Sequence, residues 1–155
     1  MIMVIQRWQS LLLLIATVMM VLFSFCSLGQ IQGESVSVNI TSFGLYTEGG
    51  SSTLLLGTVY VAIVALLSAL LSLLGIFMFK NTRLQKRICL LAIVLVLAAC
   101  GSEWVAVYGA EIAGSTGPSW SAVVCAPFIA IIALIAAFRF IKSDEKKLAG
   151  YDRLR

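Results

Sequence analysis

Four long apolar segments, separated by polar ones, dominate the pattern of hydrophobic and polar positions along the chain. They predict helices at residues 8–28, 54–79, 88–108 and 120–141. Each is about 20 residues long, the length that an α-helix needs to cross a hydrocarbon core about 30 Å thick. The first two contain no charged residue, and only Glu103 interrupts the third. The pattern therefore predicts an all-α membrane protein built as a four-helix transmembrane bundle.

The segments between the apolar runs complete a single transmembrane domain over residues 1–155. They are two predicted outer loops at 29–53 and 109–119, an inner loop at 80–87 and a basic cytoplasmic tail at 142–155. In the first outer loop, Ser35 to Thr41 alternates polar and apolar residues, which is typical of a half-buried strand. Phe43 to Tyr46 indicates a second strand, and Gly49 to Ser52 a flexible connector. We expect a short β-hairpin-like element that rests on the helix ends or pairs with residues near 109–115.

The composition favours the same class of protein. Hydrophobic residues make up 61% of the chain and charged residues 12%, with a mean hydropathy of +1.04. An ordinary soluble domain is roughly 45–50% apolar and about 25% charged. A water-soluble fold is therefore a poor explanation of this sequence.

The distribution of charge predicts the orientation of the helices, because Lys and Arg concentrate in short cytoplasmic segments beside transmembrane helices. All 11 basic residues fall before the first predicted helix, in the inner loop, or at the end of the fourth helix and beyond. The outer side carries no basic residue and four glutamates. Four crossings place every basic segment on one side, so we predict cytoplasmic N and C termini. The apolar stretch after Arg7 exceeds a signal-peptide core, which favours a retained helix.

Small residues spaced four apart predict the faces on which the helices pack, because association in lipid depends on close van der Waals contact. The pairs are Ala65 with Ala69, Ser68 with Ser72, Ala126 with Ala130, and Ala133 with Ala137. They serve contacts within one bundle or a homo-oligomer interface, and both remain open. Pro127 predicts a kink about two turns into the fourth helix. Gly117-Pro118 predicts a helix start.

Residue types that carry catalysis are scarce in this chain. It contains no His, which is the commonest general base and metal ligand. The four cysteines lie in apolar runs without a C-x-x-C pair, so we expect buried free thiols, although a disulfide between outer-half cysteines stays open. No phosphate loop, dinucleotide fingerprint or metal cluster is visible. We therefore expect no enzymatic activity and no cofactor.

Glu103 is the candidate functional residue, with Glu111 eight residues further on. If the third helix begins at Ile88, Glu103 lies about 22 Å along it, inside the hydrocarbon core. An intramembrane carboxylate is a functional-site hypothesis by default. The alternative is that the helix begins nearer Leu84 and that Glu103 emerges beside Trp104 into the membrane interface. We favour the alternative, because the outer side offers no basic partner.

Several short segments resemble one family along the whole chain, in order and spacing. They are Ile5 to Leu11, Lys80 to Arg87, Ile141 to Lys147 and Asp152 to Arg155. The family is a group of small four-helix membrane proteins from Bacteroidota, domain of unknown function 4293. The chain departs from it at Met1-Ile2, which precede an alternative start at Met3. The resemblance implies the same fold and the bacterial inner membrane, and it implies no activity.

Three functions remain open at this point. The first is a non-enzymatic interaction or scaffold component whose basic cytoplasmic surface binds a membrane-protein partner or anionic lipid; no nucleic acid is expected. The second is a small oligomeric transporter or channel using Glu103, and the weakest is a membrane enzyme. The tail either lies along the inner membrane surface or is a solvated flank. The residues expected on the cytoplasmic interaction surface are Arg7, Lys80, Arg83, Lys86, Arg87, Asp152, Arg153 and Arg155.

Overall fold

The computed structural model describes residues 2–33, 37–48, 53–78, 81–109 and 117–152. These residues form mostly helix. Four α-helices are present among them: α1 (Ile2–Phe25), α2 (Val59–Phe77), α3 (Thr82–Gly109) and α4 (Ala126–Asp152). Each contains a segment long and apolar enough to span a membrane. The four helical segments predicted from the sequence are confirmed.

An antiparallel sheet of five strands joins the helices at one end. Its strands are β1 (Gly29–Gln32), β2 (Ser37–Thr41), β3 (Gly44–Glu48), β4 (Thr53–Gly57) and β5 (Pro118–Trp120), in the order β4-β3-β2-β1-β5. The predicted hairpin is confirmed as β2 and β3, in which Val38 faces Thr47 and Ile40 faces Leu45. The sheet is larger than predicted, since β1, β4 and β5 extend it.

The second helix begins later than predicted, at Val59 rather than at residue 54. Residues 53–57 pair with β3 as strand β4, so their backbone groups are satisfied in the sheet. The Thr58 N–H donates to the carbonyl oxygen of Phe43 at 3.2 Å, and the buried Thr58 hydroxyl donates to that of Ser42 at 3.3 Å. The first helix likewise ends at Phe25 rather than at 28, because β1 begins at Gly29.

The third helix begins earlier than predicted, at Thr82 rather than at Ile88. The Asn81 side-chain oxygen accepts a hydrogen bond from the Leu84 N–H at 3.3 Å. This is the N-cap interaction that satisfies a free N–H group in the first turn of a helix. The predicted inner loop 80–87 is therefore mostly helical.

The expectations for the segment before the fourth helix were wrong. Gly117, with φ of +93°, precedes strand β5, so Gly117-Pro118 starts a strand and not a helix. A 3₁₀ helix (Ala122–Cys125) follows, and α4 begins at Ala126. Pro127 thus lies in the first turn, where its missing N–H leaves no hydrogen bond unmade, and it does not kink the helix interior.

The fourth helix continues through most of the predicted tail. Its 27 residues reach Asp152 and, at 1.5 Å per residue, extend about 40 Å. That exceeds a hydrocarbon core about 30 Å thick. The tail is thus a continuation of α4 up to Asp152 and not a separate segment.

The helices pack in a ring, α1 against α2 and α4, and α3 against α2 and α4. The predicted stripes of small residues on α2 and α4 are all buried, so they serve contacts within the bundle. Large apolar side chains such as Leu13, Met20 and Leu134 fill the interior. Other large apolar residues, including Ile63 and Ile132, point outwards and are more than half exposed. Such an apolar exterior suits contact with lipid, because soluble monomers rarely expose large apolar patches.

Hydrogen bonds attach the sheet to the helix ends. The buried Ser42 hydroxyl donates to the Phe23 carbonyl oxygen of α1 at 2.9 Å. The Leu28 N–H donates to the Ile40 oxygen and the Ser121 N–H to the Leu28 oxygen, both at 2.8 Å. The sheet therefore covers the end of the bundle where α1 and α3 finish and where α2 and α4 begin. We call it the sheet end.

Candidate functional site

Glu103 lies on the face of α3 that points into the bundle. The buried residues Val96, Ala99 and Ala106 share this face at helical spacing, and the Glu103 side chain is 5% exposed. The helix begins before Ile88, as the favoured interpretation expected. The side chain is buried inside the bundle, whereas that interpretation expected it to emerge beside Trp104. The packing of α3 against its neighbouring helices turns Glu103 inwards.

A cavity of about 180 Å³ lies beside Glu103 at the sheet end. It is formed by the ends of several elements: Phe23 of α1, Cys100 and Trp104 of α3, Trp120 of β5, and Phe128 of α4. Phe23 is buried, whereas Trp104 and Phe128 are 57% and 60% exposed. The cavity is therefore closed towards α1 and bordered by exposed aromatic side chains on the outward side of α3 and α4.

The Glu103 carboxyl group brings an unsatisfied polar atom to this cavity. Within the described residues, its Oε2 is buried and has no hydrogen-bond partner. Leaving a buried acceptor without a donor costs about 1–3 kcal/mol, and more for a charged group. Arg87 on the same helix is sixteen residues away, about 24 Å. At an effective dielectric constant of about 20, that separation gives only about 0.7 kcal/mol of attraction. A hydrogen-bond donor that is not among the described residues would remove this unfavourable free energy.

Aromatic rings join α3 to β5 beside the cavity. Trp104 stacks on Tyr108 with a centroid distance of 4.5 Å, and it lies nearly parallel to Trp120 at 6.3 Å. The face of an indole ring is negatively polarised and attracts cations within about 6 Å. The cavity thus places a carboxyl group and two indole rings in its wall.

The cysteines are all free thiols, and only one of them lines the cavity. Cys89 is fully buried, as expected for a small apolar side chain, and Cys26 and Cys100 are half-buried. The expectation of burial was wrong for Cys125, which is exposed. Cys100 lies one turn before Glu103 in the cavity wall. In the described part of the chain, no three His, Cys, Asp or Glu residues are close enough together to hold a metal ion.

Arg83, Lys86 and Arg87 of the predicted cytoplasmic interaction surface lie at the end of the bundle opposite the sheet. Arg83 and Arg87 are exposed in the first turns of α3, and Arg139 and Lys142 are exposed on the neighbouring α4. We call these four residues the basic surface. Lys86 lies among them and is half-buried.

Two further predicted site residues lie in helices: the backbone of Arg7 is part of α1, and that of Asp152 ends α4. The others lie outside the described residues: Lys80, Glu111, Arg153 and Arg155. The connector from Gly49 to Ser52 and most of the segment 109–115 also lie outside them.

Sequence reasoning missed two features of these sites. Gln85 is buried, and its side-chain amide donates to the Gly75 carbonyl oxygen at 3.0 Å, which ties α3 to α2 at the basic end. The signal in the sequence was the spacing of Gln85, Cys89 and Ala92, which places all three residues on one face of a helix. The cavity had no comparable signal, because segments far apart in the sequence form its wall.

The fold and these sites are those of a small multi-pass membrane protein, with four apolar helices of membrane-spanning length and an antiparallel sheet at one end. The chain belongs to the DUF4293 family, a domain of unknown function, which matches residues 5–154. No curated protein and no solved structure matches the chain.

Proposed function

We propose that this protein resides in the bacterial inner membrane with both termini in the cytoplasm. Positively charged residues concentrate at the cytoplasmic ends of membrane helices. All 11 basic residues belong to the termini, the α2–α3 connection or the helix ends opposite the sheet. This orientation puts the sheet on the outer side. The likeness of the chain to proteins of Bacteroidota supports the bacterial location.

Its role in this proposal is association rather than catalysis. The basic surface binds acidic groups, either anionic lipid or an acidic segment of a membrane-protein partner. The observation that carries the proposal is the exposure of Arg83, Arg87, Arg139 and Lys142 at one end of two adjacent helices. Near an anionic leaflet each such residue contributes about 1 kcal/mol, so the four together supply about 4 kcal/mol.

Photo-crosslinking in native membranes tests this role. A photoreactive residue at Ser143, which is exposed beside Lys142 on α4, captures whatever the basic surface contacts. We expect the double variant Arg83→Glu with Arg87→Glu to lose most of the crosslinked lipid or protein. The matched variant Arg83→Lys with Arg87→Lys keeps the charge and should keep the product. Equal product from both variants, at equal abundance and with the same topology, would contradict the proposal.

The buried carboxyl group favours a second candidate, a small oligomeric transporter or channel using Glu103. Below the cavity, however, Val96, Ala99 and Leu134 form an apolar core in the described bundle. A polar route would therefore have to run between protomers. Solute or ion flux into proteoliposomes that Glu103→Gln abolishes would support this candidate, and equal flux with and without the protein would dismiss it.

A further inference from the structure

The cavity beside Glu103 has the composition of a small ligand site. Such sites are mostly apolar, with a few polar groups that fix the orientation of the ligand. Phe23, Trp104, Trp120 and Phe128 supply the apolar wall here. The Glu103 side chain, 5% exposed and with Oε2 unpartnered among the described residues, supplies the polar group.

The size of the cavity limits the ligand. A dry apolar cavity of about 150 Å³ is enough to take up benzene, and this cavity measures about 180 Å³. An aromatic ring or a short alkyl group therefore fits, and a complete lipid chain does not. The exposed Trp104 and Phe128 lie on the outward side of α3 and α4, so the ligand enters from the surrounding membrane.

The electrostatic character of the wall favours a cation. A carboxylate attracts positive charge, and Trp104 and Trp120, whose indole rings also attract cations, line the same cavity. The described cationic residues lie at the opposite end of the bundle, so none of them neutralises Glu103. Oε2 also needs a hydrogen-bond donor, which a quaternary ammonium group lacks.

We infer that this cavity binds an organic ammonium ion that has a compact apolar group and at least one N–H bond. The N–H donates to Glu103 Oε2, and the apolar group fills the space between Phe23 and Phe128. A free amine and the ethanolamine headgroup of a lipid both supply the N–H donor; the apolar group is the hydrocarbon part of the amine or the two methylenes of the headgroup. The site is independent of the basic surface and of the association proposed there.

Tryptophan fluorescence of the full chain in phosphatidylcholine nanodiscs tests this inference. A Trp8→Phe background leaves Trp104 and Trp120 as the only tryptophans, and both line the cavity. The probes are phenethylamine, its N,N,N-trimethyl analogue and 2-phenylethanol. A hydrogen bond to a charged group predicts that phenethylamine binds roughly 10- to 100-fold more tightly than either analogue.

Two variants separate the carboxyl group from general effects of charge. Glu103→Gln should remove the preference for phenethylamine, whereas Glu145→Gln, which removes an acidic residue near the end of α4, should retain it. The inference is overturned if the parent protein does not discriminate among the three probes. It is also overturned if Glu103→Gln discriminates as well as the parent.

Thiol alkylation gives a second readout that needs no substitution. Cys100 lies in the cavity wall and is half-buried, whereas Cys125 is exposed and serves as the internal control. Phenethylamine should slow the alkylation of Cys100 by a small membrane-permeant reagent and leave Cys125 unchanged, as followed by mass spectrometry. Equal rates at Cys100 with and without the amine would contradict the inference.

The lipid composition of the nanodiscs distinguishes a lipid headgroup from a free amine as the ligand. If a lipid headgroup occupies the site, phosphatidylethanolamine nanodiscs should protect Cys100 without added amine. If a free amine is the ligand, protection should still require phenethylamine. An absence of protection under both conditions overturns the inference.

Discussion

At the residue scale, Gly29 permits the close approach of two strands from different loops. It faces Ile40 of β2 on one side and Trp120 of β5 on the other. A Cβ atom at this position would overlap the backbone carbonyl oxygen of Ser119, which cannot move without breaking the pairing of β1 with β5. Glycine is therefore required where the two outer segments meet.

We predict that Gly29→Ala destabilises the protein by about 1–3 kcal/mol, the usual cost of overpacking. The measurement is the midpoint of thermal unfolding in detergent. Gly101→Ala is the matched control, because nothing lies within 4 Å of a Cβ atom added there. In the middle of a helix that change should be neutral or stabilising by about 0.5–1 kcal/mol. Equal midpoints for the two variants would show that β1 and β5 do not meet as described.

The sequence predicted that Glu103 matters but not how it is placed. Its distance along the helix could be estimated from the sequence, whereas its orientation depends on which face of α3 packs against the other helices. The apolar residues around Glu103 cover most of the circumference of the helix, so periodicity alone could not separate the inward face from the lipid-facing one. Packing against α4 and β5 decides that question.

At the element scale, the predicted helices were correct in number and order, and their boundaries were wrong where polar signals compete with hydropathy. Residues 54–56 are apolar enough for a membrane helix, yet they pair with β3. Residues 82–87 are charged enough for a loop, yet the Asn81 cap starts α3 before them. Asn81 is a residue type that favours the N-cap position, a signal that hydropathy does not contain. Strand β4 forms because it pairs with β3, and hydropathy does not reveal such pairing.

Pro127 provides a test at the same scale. Because it lies in the first turn of α4, Pro127→Ala should change the unfolding free energy by much less than the cost of about 3 kcal/mol for a proline in a helix interior. Ala137→Pro, in the buried interior of the same helix, should cost about 3 kcal/mol or more. Both are measured by thermal unfolding in detergent. A large change on Pro127→Ala would instead support a functional kink within the helix.

At the scale of the whole molecule, the two ends of the helix bundle differ both in charge and in structure. The sheet closes one end of the bundle, and the exposed arginines of α3 and α4 lie at the other. The candidate ligand cavity lies at the sheet end and the candidate association surface at the basic end. The sequence predicted that the strands and the cationic segments lie at opposite ends of the bundle, because the number of helices and the positions of the basic residues determine it. It could not predict the cavity, which exists only where α1, α3, α4 and β5 converge.

Accessibility labelling tests most directly whether the basic end and the sheet end lie on opposite sides of the membrane, with the basic end in the cytoplasm. Single cysteines are introduced as Arg83→Cys, Ser143→Cys and Gln30→Cys into a background without the four native cysteines, and a membrane-impermeant maleimide is added to spheroplasts. We expect labelling at position 30 in intact spheroplasts, and at positions 83 and 143 only after permeabilisation. Labelling of positions 83 and 143 from opposite faces, or of all three from the same face, would contradict the account.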